Sequence, residues 1–164
     1  MDLERKIYSS DLNGEKVTLE ISRLAGQANA AVLAHHGDTT VLATVVMGNQ
    51  DISSDYFPLT VDYEERFYAA GKIIGSRFIR REGRPSDEAV LSGRLIDRTI
   101  RPLFDQRLRR EVQVVIIILA YDEKNDPDTI GLLAASTALA ISNIPWAGPV
   151  AGVKTASGNG EKKF

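Results

Sequence analysis

The chain has 164 residues, 43% hydrophobic and 26% charged, with a formal net charge of −2. That length suits one domain with a sizeable core, and the absence of cysteine excludes disulfide frameworks, thiolate zinc sites and thiol nucleophiles. No stretch reaches the ~18 consecutive apolar residues of a membrane span, and the N-terminal MDLERKIYSS lacks the apolar segment of a signal peptide; the expected location is cytoplasmic, with no membrane partner.

The first third reads as strands. Val17 to Ile21 alternates apolar and polar residues, the period of a half-buried strand. Ala28 to His35 and Thr39 to Met47 are apolar, β-branched runs on either side of His36-Gly37-Asp38, a pattern that predicts a hairpin with a tight Gly-Asp turn. Tyr56 to Tyr63 predicts a further strand, with Pro58 at its start or on a sheet edge. His35 and His36 would then point to opposite faces, which makes them a poor metal pair.

A loop rich in Gly and Arg follows, from Ala70 to Pro85. A helix is predicted after it, with Ser86 as N-cap and Asp87 and Glu88 in the first turn. Leu91, Leu95, Ile96, Ile100 and Leu103 are assigned to a broad apolar face, with Arg94, Arg98 and Arg101 opposite and Pro102 near the end. Asp97 stands within pairing distance of Arg101 or Arg94. Val112 to Ala120 predicts a central strand buried on both faces. Asp126 and Pro127 open a second helix as cap and first residue, rich in small residues, ended by Asn143 and Pro145. Val150 to Ala156 is assigned to one more strand, and SGNGEKK to a turn. Strands followed by helix, strand and helix make an α+β domain with helices packed on a sheet.

Charge is unevenly spread. From Lys72 to Arg110 there are 11 basic and 5 acidic residues, against 9 basic and 17 acidic elsewhere. Such segregation can place a basic surface on an acidic body and attract polyanions. Its densest part is GSRFIRREGRP, Gly75 to Pro85. Arginine offers paired donors to phosphate oxygens and stays protonated, and an aromatic such as Phe78 can stack a base. The same loop also reads as a solvated charged segment with Phe78 tucked into the core, and the helical arginines as an ordinary solvated face. Asp122, Glu123, Asp126 and Asp128 form an acidic cluster at which a metal site is conceivable, but loop solubility and helix capping account for it. Trp146 is expected against the core. No zinc-protease, Walker, nucleophile-elbow or dinucleotide fingerprint is present.

Phe57 to Phe104, with FPLTVDYEER, YAAGKI, RREGRP and RLIDR followed by IRPLF, and the later NDPD and NIPWAGP, resembles the first RNase PH-like core domain of bacterial polyribonucleotide phosphorylases. The resemblance covers nearly the whole chain. It implies a mixed sheet with packed helices of the ribosomal protein S5 domain 2-like kind, with residues 1–164 as the N-terminal part of that domain, incomplete at its C-terminus. It implies homotrimeric rings and phosphorolysis of single-stranded RNA from its 3′ end, with inorganic phosphate as co-substrate and Mg2+ assisting. DNA is not an expected partner. By resemblance, Phe78, Arg80, Arg81, Arg84, Arg98 and Arg101 face RNA. The family's phosphate and metal site lies in the second core domain, so no catalytic or metal residue is assigned here and the chain alone is expected to be inactive. Thr99 stands where a proline is often seen, and Ile79 where a second aromatic is common, leaving Phe78 alone for stacking. A second reading makes the chain a non-catalytic ring subunit or scaffold that threads RNA.

Overall fold

The protein is described by a computed structural model covering residues 4–12, 14–73, 83–158 and 161–163. The main sheet has six strands in the order β1-β2-β3-β4-β6-β5. They are β1 (Lys6–Leu12), β2 (Glu15–Ile21), β3 (Ala30–His36), β4 (Thr39–Asp51), β5 (Leu59–Glu64) and β6 (Arg110–Ala120). The first four form an antiparallel meander, β6 runs antiparallel to β4, and β5 joins β6 in parallel. A parallel neighbour cannot be reached by a hairpin. The chain between β5 and β6 therefore makes a long connection, and it carries α1 (Asp87–Ile100). A second helix, α2 (Pro127–Ile141), follows β6.

Period-two patterning decides which sheet face the helices cover. Val41, Ala43 and Val45 of β4, with Val112, Val114 and Ile116 of β6, have no exposed surface, and their registered neighbours Val32 and Ala34 are equally buried. Both helices pack on this face, α2 over β3 and β4, α1 over β5. Alanines 134, 135 and 138 let α2 lie close to the strands. The opposite face carries Leu33, Leu42, Val115 and Ile117, all half-buried. β6 thus lies inside the sheet, between β4 and the edge strand β5, but only one of its faces is fully buried, not both as expected.

Several expectations are corrected. β1 was not anticipated: every one of its residues is exposed, so it has no burial pattern to read and is defined by its pairing with β2. On α1 the buried stripe is Ala89, Gly93, Ile96 and Ile100, while Leu91 and Leu95 are 64% and 52% exposed. At about 100° per residue Leu91 lies half a turn from Ile100, so these leucines share the outer side with Arg94 and Arg98. Residues 150–155 form no strand; a short hairpin of β7 (Ala156–Gly158) and β8 (Glu161–Lys163) follows instead.

Local chemistry fixes both helix starts as the sequence suggests. The Ser86 hydroxyl accepts from the Ala89 N–H at 3.0 Å, and the Asp126 carboxylate accepts from the Asp128 N–H at 2.9 Å with Pro127 opening α2. Trp146 donates its indole N–H to the Ile100 carbonyl at 3.2 Å beside Phe104. Phe104 in turn packs on Phe57 at 4.9 Å between ring centres.

Candidate nucleic-acid interface

The outer side of α1 is the first part of the site. Arg94 and Arg98 are exposed there, and among the described residues neither has a hydrogen-bond or ion-pair partner. Arg84 is also exposed, two residues before the Ser86 cap. Phe78, Arg80 and Arg81 lie outside the described residues.

Arg101 is placed differently. Its Nε donates to Asp97 Oδ2 at 3.0 Å and its Nη2 to Asp97 Oδ1 at 2.6 Å. Nη2 also reaches the Leu59 carbonyl at 3.1 Å and Nη1 the Phe57 carbonyl at 3.4 Å. All three guanidinium nitrogens therefore face protein acceptors. Of the two partners anticipated for Asp97, the structure pairs it with Arg101.

Next to the arginine surface opens a cavity of about 820 Å³ between the first turns of α1 and α2 and the C-terminal end of β5. Its apolar wall includes Phe67, Leu91, Ile118 and Tyr121. Its cations Arg66, Lys72, Arg84 and Lys154 are matched by Glu64, Glu65, Glu88, Asp126 and Asp128. The buried Tyr63 hydroxyl donates to Asp128 Oδ1 at 2.6 Å. Burial first, and then the Asp128 carboxylate, push the Tyr63 phenol far above the usual tyrosine range, so it stays a hydrogen-bond donor. Lys154 pairs with Asp126 and stands 3.7 Å from Asp128. The Ser86 hydroxyl donates to Glu65 at 2.6 Å, bridging the β5 exit to the start of α1.

A third cluster lies at the start of β4. Asp122 accepts from the Asn125 and Lys124 N–H groups at 2.7 and 2.9 Å, from the Asn125 side chain at 2.7 Å and from the Asp38 N–H at 3.2 Å. The Asn125 N–H is the leading cause of an Asp122 carboxyl held well below the usual carboxylate range. The two histidines divide as expected: His35 Nδ1 lies 3.0 Å from the Thr40 hydroxyl, and His36 Nε2 lies 3.3 Å from Glu15. Among the described residues no three His, Asp or Glu side chains converge as a metal site.

The sequence model of the 3′ exoribonuclease family, domain 1 (RNase PH), matches residues 14–145. The chain belongs to that family. It is 50% identical over 161 residues to the polyribonucleotide nucleotidyltransferase of Exiguobacterium sibiricum, and 51% identical over 161 residues to that of Bacillus mycoides. Each alignment covers 98% of this chain and 22% of the relative, so the chain spans under a quarter of the length of these relatives. Among solved structures, the crystal structure of rice Rrp46 superimposes with a TM-score of 0.59 at 15% identity, covering 89% of this chain and 59% of that one. The RNase PH-like α+β fold expected from the sequence is therefore the fold of this chain.

Two parts of the RNase PH chain escaped the sequence reading. One is the Tyr63–Asp128–Lys154 chain, whose only signal was a tyrosine at a core-facing strand position, where a buried hydroxyl needs a partner. The other is the Asp122 cluster, whose carboxylate was assigned to loop solubility.

Proposed function

We propose that this chain is the RNA-gripping front of the first core domain of an enzyme that shortens single-stranded RNA from its 3′ end with inorganic phosphate. A phosphate oxygen bonds to the terminal phosphorus, the bond to the preceding 3′-oxygen breaks, and that oxygen takes up a proton. A nucleoside diphosphate leaves. The observation that carries the reading is identity at the 50% level across 98% of the chain to enzymes named polyribonucleotide nucleotidyltransferase.

In this proposal Arg84 and Arg98, with Phe78, Arg80 and Arg81, track the RNA backbone. Their exposure at Arg84 and Arg98 supports it, because phosphate contacts need charges not already neutralised by the protein. Mg2+ offsets charge on the reacting phosphates in the parent enzyme. The described residues do not suit it: Asp126 and Asp128 are engaged by Lys154 and Tyr63, and no step is assigned to the ion here. The parent is a cytoplasmic homotrimer in this reading.

The test is release of nucleoside diphosphates from single-stranded RNA by the full-length protein, with magnesium, with and without phosphate. Release only with phosphate supports the reading. RNA binding without release would favour the non-catalytic threading subunit instead.

A further inference from the structure

We infer that Arg101 is a positioning residue for the RNA-facing side of α1 and does not itself contact RNA, an inference that rests on the RNA-gripping role just proposed. Arg101 follows α1 directly, and its own N–H continues the helix to the Asp97 carbonyl. Its side chain leaves the helix toward the entrance of β5. β5 is the last strand of the sheet, so its outer backbone groups have no strand partner. The Leu59 carbonyl is such a group, and Arg101 takes it together with the carbonyl of Phe57 just before the strand, which also accepts the Leu59 N–H at 3.1 Å. Pro58 between them turns inward, accepting from the Val112 N–H of β6 at 2.9 Å.

One guanidinium thus joins three things: the last turn of α1 through Asp97, the exposed strand edge, and the backbone of Phe57, whose ring lies in the Phe104 cluster. Further along the edge, the Val61 carbonyl sits against Gly93, 3.6 Å from where a Cβ would stand. The helix rests on the strand at Gly93 and is pinned to it at Arg101. Arg94 and Arg98 occupy the α1 turns between and beside these two points. A groove of about 360 Å³ between α1 and β5 is lined by Arg94, Asp97 and Arg101 together.

A guanidinium whose donors are filled in this way has little left for phosphate. Its planar fork suits one carboxylate and two carbonyls at once, which a lysine cannot reproduce. Without it, the Asp97 carboxylate stands uncompensated beside the RNA face and the end of α1 loses its tie to the sheet.

The experiment measures single-stranded RNA affinity of the full-length protein against salt concentration, for wild type, Arg98→Gln, Arg101→Gln, Asp97→Asn and the Asp97→Asn/Arg101→Gln double variant. Thermal unfolding first establishes that each is folded at the assay temperature. Arg98→Gln is expected to reduce the salt slope by about 0.7, as loss of one phosphate contact on a single strand does. Arg101→Gln is expected to weaken binding about threefold or more with the slope unchanged. Asp97→Asn decides the matter, because removing a negative charge beside RNA strengthens binding if charge alone counts. Weakening like that of Arg101→Gln, with no further loss in the double variant, supports positioning. Tighter binding by Asp97→Asn, or a slope loss in Arg101→Gln equal to that in Arg98→Gln, overturns it. If Arg101→Gln does not fold, Asp97→Asn alone gives the answer by the same sign. A wild type with no salt-dependent RNA affinity overturns the RNA-gripping role as well, a result distinct from all of these.

Discussion

The hydroxyl of Thr39, with no exposed surface, lies 2.9 Å from Asp122 Oδ1 and 3.1 Å from the Asn125 carbonyl, bonding two segments more than 80 residues apart in the chain. It joins the β3–β4 turn to the loop between β6 and α2. Thr39→Val keeps the shape and removes the hydroxyl that reaches Asp122 Oδ1 and the Asn125 carbonyl and accepts from the Asp122 N–H. A loss of about 1–3 kcal/mol in unfolding free energy is expected, read by urea denaturation.

The same cluster sets an acid response. Asp122 has a folded-state carboxyl lowered chiefly by the Asn125 N–H. A lowered carboxylate contributes stability that is fully present above its unfolded value, about 3.9, and is lost as pH falls through the folded value. The wild-type thermal midpoint should therefore drop below about pH 4, and Asp122→Asn should flatten that drop while lowering the midpoint at neutral pH. Unfolding followed by circular dichroism at several pH values checks both.

Gly37 turns the hairpin with a φ of +56°, and a Cβ there would press on the Asn125 side chain and lie 2.9 Å from Asp122 Oδ2. Gly37→Ala adds about 1–2 kcal/mol of left-handed backbone cost to displacement of that cluster. The prediction is a lower thermal midpoint for Gly37→Ala than for Thr39→Val.

Gly148 packs against the ring of Trp146, so that an added Cβ would collide with the indole. Gly148→Ala must move the ring away from Phe104 and from the Ile100 carbonyl. Because Trp146 is the only tryptophan in the chain, the expected outcome for this chain is a red-shifted tryptophan emission. Unchanged emission would mean that the indole does not lie on Gly148.

Arg84 tests the RNA surface away from α1. Arg84→Gln should lower the salt slope of RNA binding by about 0.7 with no change in thermal midpoint, since it is exposed and has no partner among the described residues.

What the sequence made legible follows from how local the signals are. Ser86 and Asp126 announce their helices because capping acts over three residues, and the Gly37-Asp38 turn is equally local. β4 could be read as an apolar, β-branched run because one of its faces is buried under helices. β1 gave no such pattern, because an exposed edge strand owes its form to pairing alone. Leu91 and Leu95 misled for the opposite reason: they are apolar by type but lie on the helix side that no other described element covers. At the candidate site, spacing offered Asp97 either Arg101 or Arg94, and the structure pairs it with Arg101. The carbonyls that Arg101 also takes come from residues more than 40 positions earlier, and only the parallel placement of β5 brings them there.

That parallel placement also bears on how the arginine-rich stretch is carried. The connection from β5 to β6 leaves and re-enters adjacent strands of one sheet, so both of its ends are anchored to the same rigid plate, as a handle is to a lid. Lengthening or shortening it between Gly71 and Pro85 would leave the pairing of Leu59 with Val112 and of Tyr63 with Ile116 in register. The length of this connection can therefore change by insertion or deletion without disturbing the sheet that carries its two ends.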